Sequence, residues 1–311
     1  MTTLADIRAA AERIRGHVHH TPVMTSATLD RELGASVFAK CENLQKVGAF
    51  KARGACNAVM ALDDATAQRG VITHSSGNHG AALAWAARTR GIPCMVVMPD
   101  SAPQVKIDAV RGYGAEVVLC KAAERDATSA RLQQEHGTTM VHPFENAHVI
   151  AGQGTAALEL LADVPDLDVV ITPVGGGGLC SGTAVVTRAL RPDMWVLGAE
   201  PKAVDDASRS LATGVRQPRV EGAKSWGDGL MTALGEPNFA LLRQHRVRIV
   251  TVEEQAMVDA ARFFLQRMKI VVEPSSATVL AALRAIGPEL RGKRVAMILT
   301  GGNTDFAWLA R

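Results

Sequence analysis

Short apolar runs alternate with longer amphipathic stretches along most of this chain. The apolar runs predict strands at 36–40, 70–73, 94–98, 116–119, 169–173, 195–200, 248–250 and 294–299. The amphipathic stretches between them predict helices at 54–62, 80–90, 104–112, 125–136, 152–161, 179–190, 253–266 and 278–285. Alternating strands and helices favour parallel strand pairs with helices on both faces of each sheet. The predicted fold class is therefore α/β, with open, twisted parallel sheets.

The spacing of these elements predicts two lobes. Strand–helix units of similar length repeat through residues 70–140, and the later pattern differs and includes a long, weakly periodic stretch at 212–235. We therefore expect a small domain of residues 70–145 and a large domain made of 1–69 and 146–311. Ligands of open parallel sheets bind beyond the carboxyl ends of the strands, so the cleft between the lobes is the predicted site.

Composition narrows the possible functions without choosing one. The 311 residues are 47% hydrophobic and 21% charged, close to the average of globular proteins, which excludes a disordered chain. Thirty-four Lys and Arg against 31 Asp and Glu leave a net charge of +3, which is too balanced for a nucleic-acid-binding surface. Neither a run of eighteen apolar residues nor a signal peptide is recognisable, so we expect no membrane partner. The five scattered cysteines fit neither a disulfide framework nor a zinc site, so we expect a reducing cytoplasm.

A lysine follows the first predicted strand in an unusual setting. The segment ENLQKVGAFKARGA, residues 42–55, places Lys51 at the entrance to a helix of small residues, next to Phe50. An arbitrary lysine most often lies in solvent, and that alternative stays open here. Sheltering by Phe50 and the small residues would remove water from the amine and lower its pKa toward neutrality. Such an amine is suited to act as a nucleophile that forms a Schiff base.

Three further polar or glycine-rich segments follow predicted strands. THSSGNHG, residues 73–80, leads into a helix whose first N–H groups suit an anion, although an ordinary helix cap is the alternative. PVGGGGL, residues 173–179, lets the backbone approach a phosphate closely, but it lacks the spacing of a P-loop or of a dinucleotide site. LTGGN, residues 299–303, places a hydroxyl at another strand end, where an ordinary turn is the alternative.

Taken together, these segments resemble the fold-type II enzymes that use pyridoxal 5′-phosphate, the tryptophan-synthase-β-like superfamily. The resemblance is strongest to the branch of serine/threonine dehydratases and serine racemases. It rests on five ordered motifs that span most of the chain: ENLQKVGAFKARGA, SSGNHG, HPFENAHVIAGQGT, PVGGGGL and LTGGN. On this resemblance we expect two lobes, with the large domain binding the cofactor and the small domain carrying the substrate loop.

The resemblance implies a role for each matching residue. Lys51 would bind the cofactor covalently and remove the proton from the substrate Cα, and in a racemase Ser76 would act on the opposite face of Cα. The cofactor-binding residues would be Phe50, Lys51, Asn78, Gly175, Gly176, Gly177, Gly178 and Thr300. The substrate carboxylate would bind the loop that contains Ser75, Ser76 and His79. For Ser76, carboxylate binding alone or a helix cap is the alternative.

A cation site is implied as well. The stretch AEPKAVDD, residues 199–206, contains carboxylates suited to a hard cation. Matched to the family's motif, Glu200, the backbone carbonyl of Val204 and Asp206 would ligate Mg²⁺, Mn²⁺ or Ca²⁺. The alternative is that these are acids at a helix N-terminus, which stabilise the helix without any metal.

The implied reaction is that of an ammonia-lyase. Thr300 would place a neutral hydroxyl at the pyridine nitrogen, where the branch commonly has serine, and a neutral partner favours early loss of a β-leaving group. We expect β-elimination of water from L-threonine, L-serine or both, with release of a 2-oxo acid and ammonia. Two alternatives stay open: racemisation of serine, and dehydration of 3-hydroxyaspartate to oxaloacetate and ammonia. In the latter, Arg125 could reach the second carboxylate, although a solvated arginine is the alternative. A homodimer is the family expectation.

Overall fold

The computed structural model describes residues 1–75 and 77–310 of the chain, and these form two β-sheets with surrounding helices. The strands are β1 (Val23–Thr25), β2 (Ser36–Cys41), β3 (Val71–His74), β4 (Cys94–Pro99), β5 (Glu116–Cys120), β6 (Thr139–Met140), β7 (Val169–Pro173), β8 (Trp195–Pro201), β9 (Arg248–Val252) and β10 (Arg294–Leu299). The helices are α1 (Leu4–Ile14), α2 (Ala27–Leu33), α3 (Lys51–Met60), α4 (Asp64–Gln68), α5 (Asn78–Arg90), α6 (Gln104–Gly112), α7 (Arg125–His136), α8 (Ala147–Asp163), α9 (Gly178–Leu190), α10 (Asp206–Thr213), α11 (Glu236–Gln244), α12 (Glu254–Phe263) and α13 (Pro274–Ala285).

The strand order separates the two sheets cleanly. The larger sheet has the order β1-β2-β10-β7-β8-β9, and the smaller sheet has the order β5-β4-β3-β6. Neighbouring strands pair in parallel except for β1, which is antiparallel to β2. The sequence pattern does not predict this antiparallel edge. It follows from the short connection through residues 26–35, which is too short for a parallel crossover.

Helices cover both faces of each sheet, so the strands are buried on both sides. In β7, Val170 belongs to the core cluster that includes residues of α1, α8, α9 and α11, whereas its neighbour Ile171 belongs to the cluster on the opposite face, with residues of α2, α12 and α13. In β4, Val96 belongs to a cluster with residues of α3, α5 and α6, and Val97 to one with a residue of α7. Burial on both faces explains why these strands are near-continuous apolar runs instead of alternating ones. The predicted α/β fold class with parallel sheets is confirmed.

Some element boundaries differ from the predicted ones. Helix α3 begins at Lys51, three positions earlier than the apolar pattern indicates. Helix α8 also begins earlier, because the side chain of Asn146 accepts hydrogen bonds from the backbone N–H groups of His148 and Val149 and caps the helix. Seven elements are absent from the prediction: α1, α2, α4, α10, α11, β1 and β6. Most of them are short, and short segments carry too few apolar positions to define a period. Helix α1 is not short, and the prediction missed its buried face of Ile7, Ala10 and Ile14.

The sheets draw on different parts of the chain. The strands of the smaller sheet lie between Val71 and Met140, and those of the larger sheet lie outside this segment. The division into domains at residues 70 and 145 stays a proposal. Across residues 1–75 and 77–310, no helix has the length and apolar character that spanning a bilayer requires.

Candidate active site

The carboxyl ends of three neighbouring parallel strands, β2, β10 and β7, lie at one edge of the larger sheet, and each is followed by one of the motifs. The segment after β2 is bonded to the segment after β10. Phe50 N–H donates to the Thr300 carbonyl at 2.9 Å, and Ala49 forms a β-bridge with Gly301. These contacts place Lys51, the first residue of α3, at this edge of the sheet.

The side chain of Lys51 is half-buried, and its amine has no acidic partner among its hydrogen bonds to described residues. Its Nζ donates to the Pro143 carbonyl at 2.7 Å and lies 5.2 Å from the centroid of the Phe50 ring. Removal of water from the amine lowers the pKa of Lys51 from 10.5 to about 8. An amine with this pKa is partly neutral near neutral pH, so it has a free electron pair for attack on an aldehyde or for accepting a proton.

The lowered pKa predicts how covalent capture of an aldehyde by the apoprotein depends on pH. Only the neutral amine attacks, so the capture rate of pyridoxal 5′-phosphate should rise with pH and level off above about pH 8. An unperturbed lysine would continue to gain rate up to about its ordinary pKa of 10.4. Stopped-flow absorbance over a pH series measures the midpoint, with Nα-acetyl-lysine as the reference amine. A midpoint equal to that of the reference would contradict the burial of Lys51.

The four glycines between β7 and α9, residues 175–178, form a buried turn that leaves no room for side chains. A Cβ on Gly176 would lie 2.2 Å from the ring of Phe144, and Gly177 has a φ of +88°. Helix α9 begins at Gly178, and its N-cap, Gly177, has no side chain to cap the first N–H groups. Those N–H groups and the helix dipole favour an anion. This cradle therefore fits the phosphate of pyridoxal 5′-phosphate.

Amide and hydroxyl groups lie across the same cleft. Asn78, the first residue of α5, donates through Nδ2 to Glu273 Oε1 at 3.0 Å and accepts at Oδ1 from Asn303 Nδ2 at 2.9 Å. Burial raises the pKa of Glu273 to about 8, so its carboxyl is mostly protonated near neutral pH. Thr300 is 5% exposed, and its N–H donates to Ser276 Oγ at 2.6 Å. Asn78 and Thr300 thus lie among neutral polar groups at this edge of the larger sheet.

The loop before α5 contains the residues expected to bind substrate. Ser75 Oγ accepts from Gly77 N–H at 3.3 Å, and Ser76 lies outside the described residues. His79 is 2% exposed, its Nε2 is 3.0 Å from the Val141 carbonyl, and burial lowers its pKa to about 3. The carbonyl can only accept, so Nε2 carries the single ring hydrogen and Nδ1 is an acceptor. His79 therefore has no hydrogen for a carboxylate, which would instead bind the backbone N–H groups at the start of α5.

Three aromatic rings lie beside this loop. His74 and His142 contact edge to face with centroids 5.3 Å apart, and His142 contacts Phe144 in the same way at 4.6 Å. Burial lowers the pKa of His74, and it lowers that of His142 to about 4. Arg125, at the start of α7, further lowers the pKa of His74. Its Nε donates at 3.3 Å to Asp126 Oδ1, which lies 3.9 Å from His74 Nδ1. The sequence pattern assigns no role to either histidine.

The expected cation ligands are buried together beside α10. Glu200 and Asp206 are each 1% exposed. Both oxygens of Glu200 accept from backbone N–H groups at the start of α10 at 2.8 Å, and Asp206 Oδ2 accepts from Leu234 N–H at 2.8 Å. Burial raises the pKa of Glu200 to about 8 and that of Asp206 to about 6. Among the described residues, no cluster of three or more His, Cys, Asp or Glu side chains is arranged as a metal site. A cation here would need the Val204 carbonyl and water as further ligands.

The structure also brings to the site three residues that lie within the quoted motifs but received no role from the sequence. Pro143 provides the carbonyl that binds Lys51, and Phe144 closes the glycine turn. Asn303 bonds to Asn78. A backbone carbonyl and a ring in van der Waals contact have no sequence signature of their own, so only the folded chain identifies them.

The chain is similar in sequence and in structure to several known proteins. Residues 14–301 match the family described as pyridoxal-phosphate dependent enzyme. The chain is 44% identical to serine racemase of Dictyostelium discoideum, over 99% of this chain and 97% of that protein. It is 46% identical to beta-hydroxyaspartate dehydratase of Paracoccus denitrificans (strain Pd 1222), over 97% of this chain and 96% of that protein. The crystal structure of a T.th. threonine deaminase is similar with a TM-score of 0.94 at 44% identity, over 98% of this chain and 99% of that chain. The likeness therefore includes both sheets and the segments of the site.

Proposed function

The chain belongs to the family of pyridoxal-phosphate dependent enzymes, and on that premise we propose that it is an ammonia-lyase for small β-hydroxy amino acids. Its substrates are L-threonine, L-serine or both, and its products are a 2-oxo acid and ammonia. The observation that carries this proposal is the Lys51 amine, which has a pKa of about 8 and lies at the sheet edge where the uncapped glycine turn also ends.

Pyridoxal 5′-phosphate, when bound, supplies an aldehyde that reacts with amines and a ring that withdraws electrons from the substrate Cα. The turn of residues 175–178 would hold its phosphate. Lys51 is the amine to which it would attach, and Phe50 would pack beside it. Asn78 and Thr300 would bond to polar atoms of its ring. These assignments rest on the burial of the turn and on the neutral partners that line the cleft.

Lys51 is the group of this chain that moves the proton of Cα. The Pro143 carbonyl, 2.7 Å from Nζ, holds the amine in place. Because its pKa is close to neutrality, Nζ accepts a proton and gives it up again readily. Thr300 presents no charge at the end of β10, which favours departure of the β-hydroxyl as water over a long-lived carbanion at Cα. These properties support elimination as the main reaction.

A substrate panel tests the proposal. The protein is supplied with pyridoxal 5′-phosphate and assayed with L-serine, L-threonine and both diastereomers of 3-hydroxyaspartate. Release of both 2-oxo acid and ammonia from L-serine or L-threonine is the expected result. Absence of both products with all four amino acids, in protein that has bound the cofactor, would overturn the proposal.

A second candidate, dehydration of 3-hydroxyaspartate, is favoured by the position of Arg125, whose Nε donates to Asp126 Oδ1 at 3.3 Å, the oxygen that lies 3.9 Å from His74 Nδ1. A relative at 46% identity is named for this activity. Arg125→Ala should raise KM for 3-hydroxyaspartate at least about tenfold, because a hydrogen bond to a charged group contributes about 1.5–3 kcal/mol. KM for L-serine should stay unchanged, since serine has no second carboxylate. Steady-state assays with both substrates measure the change in each KM.

A matched control is available for this prediction. Arg131 lies on the same helix, is 58% exposed and pairs with Glu135 on the surface. Arg131→Ala should change neither KM. An unchanged KM for 3-hydroxyaspartate in Arg125→Ala would remove the structural support for the second candidate.

Serine racemisation is a third candidate, measured as D-serine formed from L-serine, and the likeness to the Dictyostelium enzyme supports testing it. In that reaction, Ser76 would exchange a proton with Cα on the face opposite Lys51. If D-serine is formed from L-serine, Ser76→Ala should abolish it. Unchanged formation of D-serine in that variant would contradict a two-base role for Ser76.

We also propose that Glu200, Val204 and Asp206 bind a divalent cation. The support is the burial of both carboxylates beside one another, with no basic partner for Glu200 among the described residues. Mg²⁺ should raise the melting temperature of the wild type, because a ligand that binds only the folded state stabilises it. The shift should vanish in Asp206→Asn and persist in Asp205→Asn, whose carboxylate pairs with Arg209. An equal shift in Asp206→Asn and the wild type would refute the site.

The homodimer expected from the family resemblance and the cytoplasmic location expected from the cysteines remain proposals. Light scattering coupled to size-exclusion chromatography measures the mass of the species in solution. A mass of twice 32.9 kDa is the expected result, and a mass of 32.9 kDa would contradict it.

A further inference from the structure

A cluster of buried charged side chains lies behind the helix that carries Lys51. This group, here called the Arg53 cluster, consists of Lys40, Glu42, Arg53 and Glu159. The side chains of Lys40, Glu42 and Arg53 are 0% exposed, and that of Glu159 is 22% exposed. The proposed reaction does not use the Arg53 cluster, so its burial calls for a separate explanation.

Arg53 makes two bidentate ion pairs that join three parts of the fold. Its Nε and Nη2 donate to the two oxygens of Glu42, directly after β2, at 2.7 and 2.8 Å. Its Nη1 and Nη2 donate to the two oxygens of Glu159, in α8, at 2.7 Å each. Further bonds reach Thr155 Oγ1 at 3.2 Å and the His19 carbonyl at 3.3 Å. Because each guanidinium nitrogen is bonded, the planar group is fixed in orientation as well as in position.

Arg53 and Lys51 lie on opposite faces of α3. Two positions along an α-helix correspond to a rotation of about 200°, so the Arg53 side chain leaves the helix nearly opposite to the side chain that reaches Pro143. The backbones of α3 and α8 are in close contact, since a Cβ on Gly152 would lie 2.6 Å from the Arg53 carbonyl. With the two helices this close, the direction of the Arg53 ion pairs determines how α3 is rotated.

Net stability does not account for a cluster of this kind. Removing a charge from water costs several kcal/mol per ion, and well-packed apolar residues often stabilise a fold as much as a buried ion pair does. Bidentate pairs, in contrast, fix geometry. Geometry matters at the reacting group, because a displacement of about 1 Å there can cost about 10²-fold in rate.

We infer that Arg53 is a positioning residue for Lys51: its ion pairs with Glu42 and Glu159 fix the rotation of α3, and that rotation aims the Lys51 amine at the Pro143 carbonyl and the cleft. The inference rests on the proposed role of Lys51 as the amine that captures the cofactor. It deepens the proposed function by naming the residue that orients this amine.

Capture of pyridoxal 5′-phosphate by the apoprotein tests the inference without any turnover. The rate is read from the visible absorbance that appears on capture, and Kd from its dependence on cofactor concentration. Arg53→Lys keeps the charge but loses the bidentate geometry, and Arg53→Gln loses both. We expect capture to slow at least about tenfold in each variant. The capture rates of Arg53→Lys and Arg53→Gln should differ from each other by no more than about threefold, because both lose the bidentate geometry.

Lys40→Met is the matched control. Lys40 belongs to the same cluster, is equally buried and pairs with Glu159 at 2.9 Å, but it lies on β2 and does not contact α3 through an ion pair. It should lower the melting temperature as the Arg53 variants do, since it removes the buried amine that binds Glu159 and the Thr21 carbonyl, and leave the capture rate near that of the wild type. Glu42→Gln provides a milder change if the Arg53 variants do not fold, and it should slow capture.

The outcomes separate this inference from the proposed function. Capture at the wild-type rate in folded Arg53 variants, or in Glu42→Gln, would overturn the positioning role while leaving the proposed function intact. A capture rate that falls in proportion to the melting temperature in every variant, including Lys40→Met, would show that the Arg53 cluster only stabilises the fold. That result would also overturn the inference. Failure of the wild-type protein itself to capture the cofactor would refute the proposed function and this inference together.

Discussion

Lys51→Ala is expected to lower kcat for the elimination reaction by at least about 10⁴-fold. The substitution removes both the nucleophile that attaches the cofactor and the base that accepts the Cα proton, and a positioned base alone contributes about 10²–10⁴-fold. The fold itself should be little affected, because the amine makes a single hydrogen bond to the described residues, at the Pro143 carbonyl. Initial rates of 2-oxo acid release, measured at saturating cofactor, give the size of the loss.

Two variants control this prediction. Lys51→Arg keeps the positive charge but provides no amine that forms a covalent bond with the aldehyde, so it should be as inactive as Lys51→Ala. Lys46→Ala removes a lysine from the same loop whose side chain has no bond to the described residues of the cleft, and it should stay active. A loss of activity of less than about tenfold in Lys51→Ala would be smaller than the contribution of one positioned base and would refute the role given to Lys51.

Gly176→Ala is expected to raise Kd for pyridoxal 5′-phosphate by at least about 10²-fold. The new methyl group would lie 2.2 Å from the Phe144 ring, so either the ring or the turn must move. Overpacking of this kind costs about 1–3 kcal/mol of stability. A displaced turn no longer aims its N–H groups at the phosphate. Each hydrogen bond to a charged group contributes about 1.5–3 kcal/mol, so losing two of them weakens binding at least about 10²-fold. Titration of the apoprotein with cofactor measures the change in Kd.

Two further measurements test whether the loss of cofactor affinity in Gly176→Ala comes from the displaced turn. Phe144→Ala should restore much of the affinity in the double variant, since it removes the ring that the methyl group meets. Pyridoxal, which lacks the phosphate, should bind the wild type and Gly176→Ala with similar Kd, because its capture does not depend on the turn. A Kd for pyridoxal 5′-phosphate in Gly176→Ala equal to that of the wild type would contradict the assignment of this turn to the phosphate.

The location of the site could be predicted from the sequence because its signals are local. The glycine turn and Thr300 come immediately after apolar strands, and Lys51 begins the first helix after β2. Neighbouring parallel strands bring their carboxyl ends to one edge. Segments that are more than a hundred positions apart in the chain were therefore expected to converge. The structure places all three at the edge formed by β2, β10 and β7.

Other features depend on contacts that no local pattern encodes. The bond from Lys51 to Pro143 uses a backbone carbonyl, which every residue has. Arginine is usually exposed on the polar face of an amphipathic helix, and only the packing of α3 against α8 reveals that Arg53 is fully buried. The tautomer of His79 is set by a single carbonyl 62 positions away. These features decide the orientation of groups within the site, whereas the local patterns decide only where the site lies.

The covalent bond between Lys51 and the cofactor is the centre of this account, and mass spectrometry tests it most directly. The purified protein is incubated with pyridoxal 5′-phosphate, reduced with borohydride and digested. The account predicts a phosphopyridoxyl group on the peptide that contains Lys51, and none on that peptide from Lys51→Ala. A wild-type protein that carries no such group, or carries it on another lysine, would contradict the account.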